Sequence, residues 1–218
     1  MTLDLFNGTV AHQNHQNLNG AGLDGGEVNF RYTKAGYHKH GESVLPFDFV
    51  VTAKAGMGRY FDGKGFGEVS LNTPSSGMLT FAFQDSESHK PVVIDAFSFS
   101  VLDIDESPQT REKVVISGFD RYELSEPESD VGVKALEDGR TKFESTALGW
   151  GCDNPRRNPF DLGVVTCQEG NLKEHTVDQR KRAVKMFFSK KDQFTVELDA
   201  VCKHGACGPR NVLITGAC

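Results

Sequence analysis

Apolar and polar residues alternate along much of this chain in short runs bounded by Gly, Pro, Asn or Asp. Side chains two apart share one face of a strand, so this alternation predicts half-buried β-strands. Nine segments read this way: Glu27–Tyr32, Phe47–Ala53, Glu68–Leu71, Met78–Gln84, Val92–Leu102, Glu112–Ser117, Ala183–Phe188, Gln193–Ala200 and Asn211–Thr215. One stretch has two readings: Val184-Lys-Met-Phe-Phe188 either ends a short helix begun near Thr176 or forms a strand. Recurrent short strands without helical periodicity predict an all-β fold, an antiparallel sandwich or barrel. No low-complexity linker divides residues 1–218, so a single domain is expected.

Two predicted strands echo each other. Leu79, Phe81, Phe83 and Asp85 share one parity, as do Phe97, Phe99, Val101, Asp103 and Asp105. Each row buries aromatic residues and then presents carboxylates where the strand leaves the core. Asp103 and Asp105, with Glu112 at the start of the following strand, form a candidate cation site for Ca²⁺, which takes several hard oxygen ligands. The spacing is not that of an EF-hand. Arg111 or Arg121 offers a protein counter-charge for one or two of these acids, and a solvated strand end is the plain structural alternative.

Composition narrows the classes. The 24 Lys+Arg and 30 Asp+Glu leave a net charge of −6, and no long basic run occurs, which argues against nucleic acid as partner. No apolar stretch is long enough for a membrane span. Sixteen Phe against one Trp and four Tyr, with 23 Gly, fit Phe-bearing strands joined by many turns.

The five cysteines, Cys152, Cys167, Cys202, Cys207 and Cys218, fall in the last third. Cys202 with Cys207, and Cys152 with Cys167, are the expected disulfides, leaving Cys218 free or intermolecular. Zinc at Cys202, His204 and Cys207 is the competing reading, although the spacing matches zinc sites poorly. Two disulfides imply an oxidising compartment, secreted or in an organelle lumen. The start Met1-Thr-Leu-Asp-Leu-Phe6 shows neither region of a signal peptide.

Other motifs weigh less. His12 with His15, and His38 with His40, are metal-chelating spacings in polar surroundings. Gly63-Lys-Gly-Phe-Gly67 resembles a nucleotide loop superficially, but its flanks read as a hairpin. No GxSxG, HExxH or Walker pattern occurs. The Pro-containing loop Cys152–Phe160, with Trp150, Arg156, Arg157 and Phe160, is a candidate recognition surface or a loop pinned by a disulfide.

Asn17-Leu-Asn-Gly-Ala-Gly22, Phe30-Arg-Tyr32, Phe97–Asp105, Glu112–Gly118, Asp153-Asn-Pro155, Arg182-Ala-Val184 and Arg210-Asn-Val-Leu213 together resemble a jelly-roll-like domain of algal, especially dinoflagellate, extracellular or organellar proteins. That resemblance implies a β-sandwich similar to carbohydrate-binding modules and lectins, without a set of catalytic residues. The expected function is a non-catalytic, calcium-stabilised module that recognises a glycan or a protein partner. The alternatives are an accessory subunit docked on a large assembly, such as the lumenal side of an algal photosystem–antenna complex, and a glycosidase-like enzyme with two converging carboxylates.

Overall fold

The structure, a computed structural model, describes residues 9–13, 30–54, 57–62, 67–71, 73–149, 154–155, 162–169, 173–205, 207–208 and 210–217. Within them lie β1 (Thr9–Gln13), β2 (Phe30–His40), β3 (Ser43–Lys54), β4 (Met57–Asp62), β5 (Gly67–Leu71), β6 (Ser75–Asp85), β7 (Ile94–Leu102) and β8 (Thr110–Ile116). The chain continues through β9 (Arg121–Glu123), β10 (Val131–Ala135), β11 (Thr141–Ser145), β12 (Val164–Glu169), β13 (Lys173–Asp178), β14 (Val184–Lys191), β15 (Gln193–Cys202) and β16 (Arg210–Ala217). Among the described residues there is no α-helix; a single 3-10 turn, Gln179–Arg182, joins β13 to β14. Asp178 caps that turn by accepting from the Arg180 N–H, and the chain then re-extends. The segment with two readings is therefore strand from Val184 onward.

Two large antiparallel sheets face each other. One has eight strands in the order β1-β2-β3-β6-β15-β8-β11-β10, the other six in the order β4-β5-β16-β7-β14-β9, and β12 and β13 form a separate hairpin. From β5 to β10 the chain changes sheet at every connection, as it does again from β14 through β16. Consecutive rows therefore face each other across the core instead of lying side by side. β4 and β5 pair antiparallel up to Asp62 opposite Gly67, so the glycine-rich segment between them joins a hairpin. At the β2–β3 turn, Gly41 has φ +62°, which glycine adopts without steric cost.

The core is aromatic and continuous between the sheets. Phe81 and Phe83 of β6 face Phe97 and Phe99 of β7, and Phe194 of β15 lies within 6.5 Å, centroid to centroid, of all four as well as of Phe188. The expected strand cores stand, extended at their ends: β2 runs on to His40 through a bulge after Tyr32, and β3 begins at Ser43. Strands β1, β4 and β9 to β13 are additional; the edge strands β9 and β10 bury one residue between them.

Each ring in this cluster fills space between two sheets that cannot easily collapse. Phe83→Ala is expected to lower unfolding stability by about 3–5 kcal/mol, the range for emptying a Phe site in a rigid core, as read from urea midpoints. A loss under about 1 kcal/mol would mean that the sheets close over the gap.

Candidate functional site

β7 ends at Leu102, and the next residue turns the chain. Asp103 has φ +61°, a left-handed conformation that Asp tolerates better than most residues. The turn lets Ile104 enter the core fully buried, while its N–H donates to the Arg182 carbonyl at 2.8 Å. Asp103 and Asp105 do not simply extend the row of Phe97 and Phe99, as unbroken alternation would have them do. They are buried all the same, at 5% and 2% exposure, and Glu112 at the start of β8 is buried with them at 1%.

The acids meet cations from distant parts of the chain. Arg210, at the start of β16, donates through Nε to Glu112 Oε1 at 2.6 Å and through Nη2 to Asp105 Oδ1. Arg182, at the end of the 3-10 turn, sets Nη1 3.5 Å from Asp105 Oδ2 and Nε 3.5 Å from Asp130 Oδ2, and donates through Nη2 to the Leu148 carbonyl. Glu112 Oε2 accepts from the Asp105 N–H at 3.3 Å. Next to them Glu106 takes Arg111 on one oxygen at 2.9 Å and Lys203 on the other at 2.8 Å. One network thus clamps the β7–β8 loop, the end of β11, the turn before β14 and the start of β16.

The inner part of this network holds more carboxylates than guanidiniums. Asp105 and Glu112 share Arg210, Arg182 adds to Asp105 alone, and Asp103 lies near enough to act on Arg210 and Glu112 through its charge. Burial pushes the Glu112 pKa well above the usual glutamate range; Arg210 opposes that shift, and the neighbouring Asp105 and Asp103 add to it. Glu106 goes the other way. Its burial favours the neutral acid, but the bonds and charges of Lys203 and Arg111 outweigh this and lower its pKa.

Asp105 and Glu112 come together at one end of the sandwich with Asp103 close by, and the counter-charge there is guanidinium. Arg182 and Arg210 were not assigned that role from sequence, although both lie in motifs that carry the family resemblance. Arg111 serves Glu106 instead, and Arg121 pairs with Glu123 on β9. The donor set fits calcium poorly, since both oxygens of Asp105 and of Glu112 already face protein donors. Among the described residues no group of three or more His, Cys, Asp or Glu is arranged to hold a metal ion. Cys202 and Cys207 are joined as a disulfide with Cα atoms 5.8 Å apart, which leaves no thiol for zinc there; His204 is exposed. Trp150, Cys152, Arg156, Arg157, Phe160, Cys218 and His15, and the side chains of His12, His40 and Cys167, lie outside the described residues.

A second feature lies on the outer face of the six-stranded sheet. The register sets Arg121, Phe187 and Ser98 in one row across β9, β14 and β7, and Glu123, Lys185, Ser100 and Thr215 in the next row across to β16. Serines on β7 are short between the taller Phe187 and Lys185 on one side and Thr215 on the other. The result is a trough along β7. One depression of about 430 Å³ is lined by Ser98, Ser100, Lys185, Glu123, Arg180 and Thr215, with Leu102, Leu162 and Ala183 as an apolar patch. A second, of about 420 Å³, shares Ser98 and Lys185 and continues past Phe187 and Arg121. Arg121 stacks on the Phe187 ring at 3.6 Å. The outer face of the eight-stranded sheet differs: its charges pair across strands, as in Arg31–Asp48, Lys113–Asp199 and Arg140–Glu197. Single-strand reading had no access to the trough, because it exists only once four strands are in register.

No protein-family model matches the chain, and no curated protein is significantly similar to it.

Two outcomes test the buried network. A methyl at Gly149 would stand 1.5 Å from Asp105 Oδ2, so Gly149→Ala must expel the carboxylate or move the backbone. It is expected to cost about 2–4 kcal/mol in urea unfolding, as overpacking and a broken buried ion pair do; a neutral effect would show the contact to be loose. The second outcome concerns pH. The folded-state pKa of Glu112 lies above the unfolded one, so its contribution favours the fold below the unfolded pKa and is lost as pH rises through the folded value. As pH rises above about 4, the unfolded glutamate range, stability is therefore expected to shift in favour of Glu112→Gln relative to wild type. Parallel midpoint–pH curves would mean that Glu112 ionises in the fold at no cost.

Proposed function

We propose that this chain is a non-catalytic module that binds a glycan chain along the β7 trough. The observation that carries the reading is the pair of depressions sharing Ser98 and Lys185 on the outer face of the six-stranded sheet. A sugar ring offers hydroxyls at its edge and C–H groups on its face. The trough supplies matching partners: the half-buried Ser100 hydroxyl, the charged Lys185 and Glu123, and the half-buried Leu162 and Ala183 above the buried Leu102. The volume falls within the range of ligand sites, and the open, elongated form suits two or more linked sugars better than one enclosed molecule. Lys185 has no carboxylate partner within 4.0 Å among the described residues, so glycans bearing carboxylate or sulfate are favoured over neutral ones.

Docking on a large assembly would call for a broad complementary face, whereas this surface is a narrow concavity in which hydroxyls and charges border an apolar patch. Glycosidase chemistry would need two carboxylates converging in an open cleft. The converging acids here, Asp105 and Glu112, are buried and bound to arginine.

The test is titration calorimetry of the full chain against acidic and neutral oligosaccharides, repeated on Ser100→Trp, which fills the trough from its floor. Wild type is expected to bind an acidic oligosaccharide and Ser100→Trp to bind it at least about tenfold more weakly, with unchanged unfolding. Equal affinity in the two proteins, or no binding to any member of the series, would overturn the reading.

A further inference from the structure

At the opposite end of the sandwich from the buried arginines, the row Leu79, Phe81, Phe83 also ends in a carboxylate, Asp85. Its surroundings are built differently. Asp85 Oδ1 accepts from the Ser88 N–H and hydroxyl, both at 2.7 Å, and from the Glu87 N–H at 3.2 Å. These bonds close the turn after β6 and hold the Asp85 carboxyl below its usual pKa. Oδ2 faces the ring of His38, which shares the parity of the buried Phe30 and Tyr32 on β2 and lies opposite Leu45.

The His38 ring is nine-tenths buried, yet its Nε2 has no hydrogen-bond partner. Asp85 Oδ2 lies 4.0 Å away, beyond hydrogen-bonding range. Buried polar atoms in folded proteins are nearly always paired, so an orphaned one bordering a cavity points to a partner from outside the chain. The gap has a definite size. An oxygen set about 2.8 Å from each atom spans 4.0 Å at an angle close to a right angle. That oxygen must accept from His38 Nε2–H and donate to an ionised carboxylate, which a hydroxyl does and a carboxylate or phosphate oxygen does not.

The rest of the cavity adds two requirements. It holds about 540 Å³, with Leu45, Pro91, Val92 and Val93 supplying an apolar wall. Lys39 and Lys90 line it as well, and neither has a carboxylate partner within 4.0 Å among the described residues. The two lysines outnumber the single carboxylate, Asp85, that lines the wall. We infer that this cavity is a second binding site, independent of the β7 trough, for a small hydroxylated organic anion. The ligand's hydroxyl bridges His38 Nε2 and Asp85 Oδ2, its carbon body lies on Val92 and Pro91, and its carboxylate or phosphate group meets Lys39 and Lys90.

The inference is tested on the full chain by NMR, following the His38 ring resonances and the Ser88 and Lys90 amides. The probes are D-glucuronate, glucose 6-phosphate, glucose and acetate. The two hydroxylated anions are expected to produce saturable shifts, with glucose (hydroxyls only) and acetate (charge only) each binding at least about tenfold more weakly. The stronger of glucuronate and glucose 6-phosphate identifies the anionic group. Lys90→Gln, an exposed change that leaves the core alone, should weaken the anions about tenfold and leave glucose unchanged; His38→Phe should abolish the response of Ser88. Absence of saturable shifts with every probe, acetate binding as tightly as glucuronate, or full affinity in Lys90→Gln would each overturn it. The glycan reading can fail without touching this result, because the probes report on residues at the far end of β6.

Discussion

The rest of the molecule is organised by the contact between two rows of Phe on strands that belong to different sheets. β6 and β7 are consecutive in the chain but lie in opposing sheets, so Phe81 and Phe83 meet Phe97 and Phe99 across the core. Phe194 from β15 fills the space between them. Register in such a sandwich is strongly determined, since a slip of one residue would turn every ring to solvent. Once the rows are locked, the positions of their polar ends are locked too. Asp85 must emerge at one end of the sandwich and Asp103 to Glu106 at the other.

A carboxylate at the boundary of a core needs compensation, because stranding its charge costs several kcal/mol, as the effective penalty for a buried ion indicates. At the β7 end the chain supplies that compensation from within. Arg210 reaches Glu112 and Asp105 across sequence separations of 98 and 105 residues, and Arg182 reaches Asp105 from the turn before β14. Gly149 is part of the same arrangement, since no side chain fits where the Asp105 carboxylate lies against it. The surplus of acid over guanidinium then falls on Glu112, the most deeply buried member, whose raised pKa follows from burial first and from its neighbouring acids in addition.

Period-two alternation was enough to find the strands that build the core, because each of them buries one clean face. It did not find β1 and β4, nor the short strands β9 to β13, whose residues are mostly exposed or partly so and carry no such contrast. The acidic cluster was visible as a parity relation between Phe99 and Asp105, although the left-handed Asp103 changes how the chain arrives there. Its partners were not visible, because nothing local marks which of many arginines comes to rest on a given acid. Arg111, the near neighbour, goes to Glu106, and the buried pair is completed by residues brought close only by sheet order. The disulfide between Cys202 and Cys207 was accessible for the opposite reason: a separation of five residues keeps the closure local.

The two ends of the sandwich therefore differ in how a carboxylate at a strand terminus is satisfied. At the β7 end every oxygen of Asp105 and Glu112 faces a donor of the chain, and the arrangement needs nothing from solvent. At the β6 end the same kind of row terminus has one carboxylate oxygen satisfied by its own turn, and the other faces a histidine nitrogen too distant to bond. The outer faces repeat this contrast. Cross-strand ion pairs cover the eight-stranded sheet, while the six-stranded sheet presents serine hydroxyls and a lysine beside an aromatic ring. Polar groups that a fold pairs internally contribute to stability and specificity of packing, whereas a buried polar atom left unpaired beside a cavity, as His38 Nε2 is, has free energy to gain from a ligand. The proposals for the β7 trough and the His38–Asp85 cavity start from concavities, whereas the more conspicuous acidic cluster is bonded to arginine and clamps the fold.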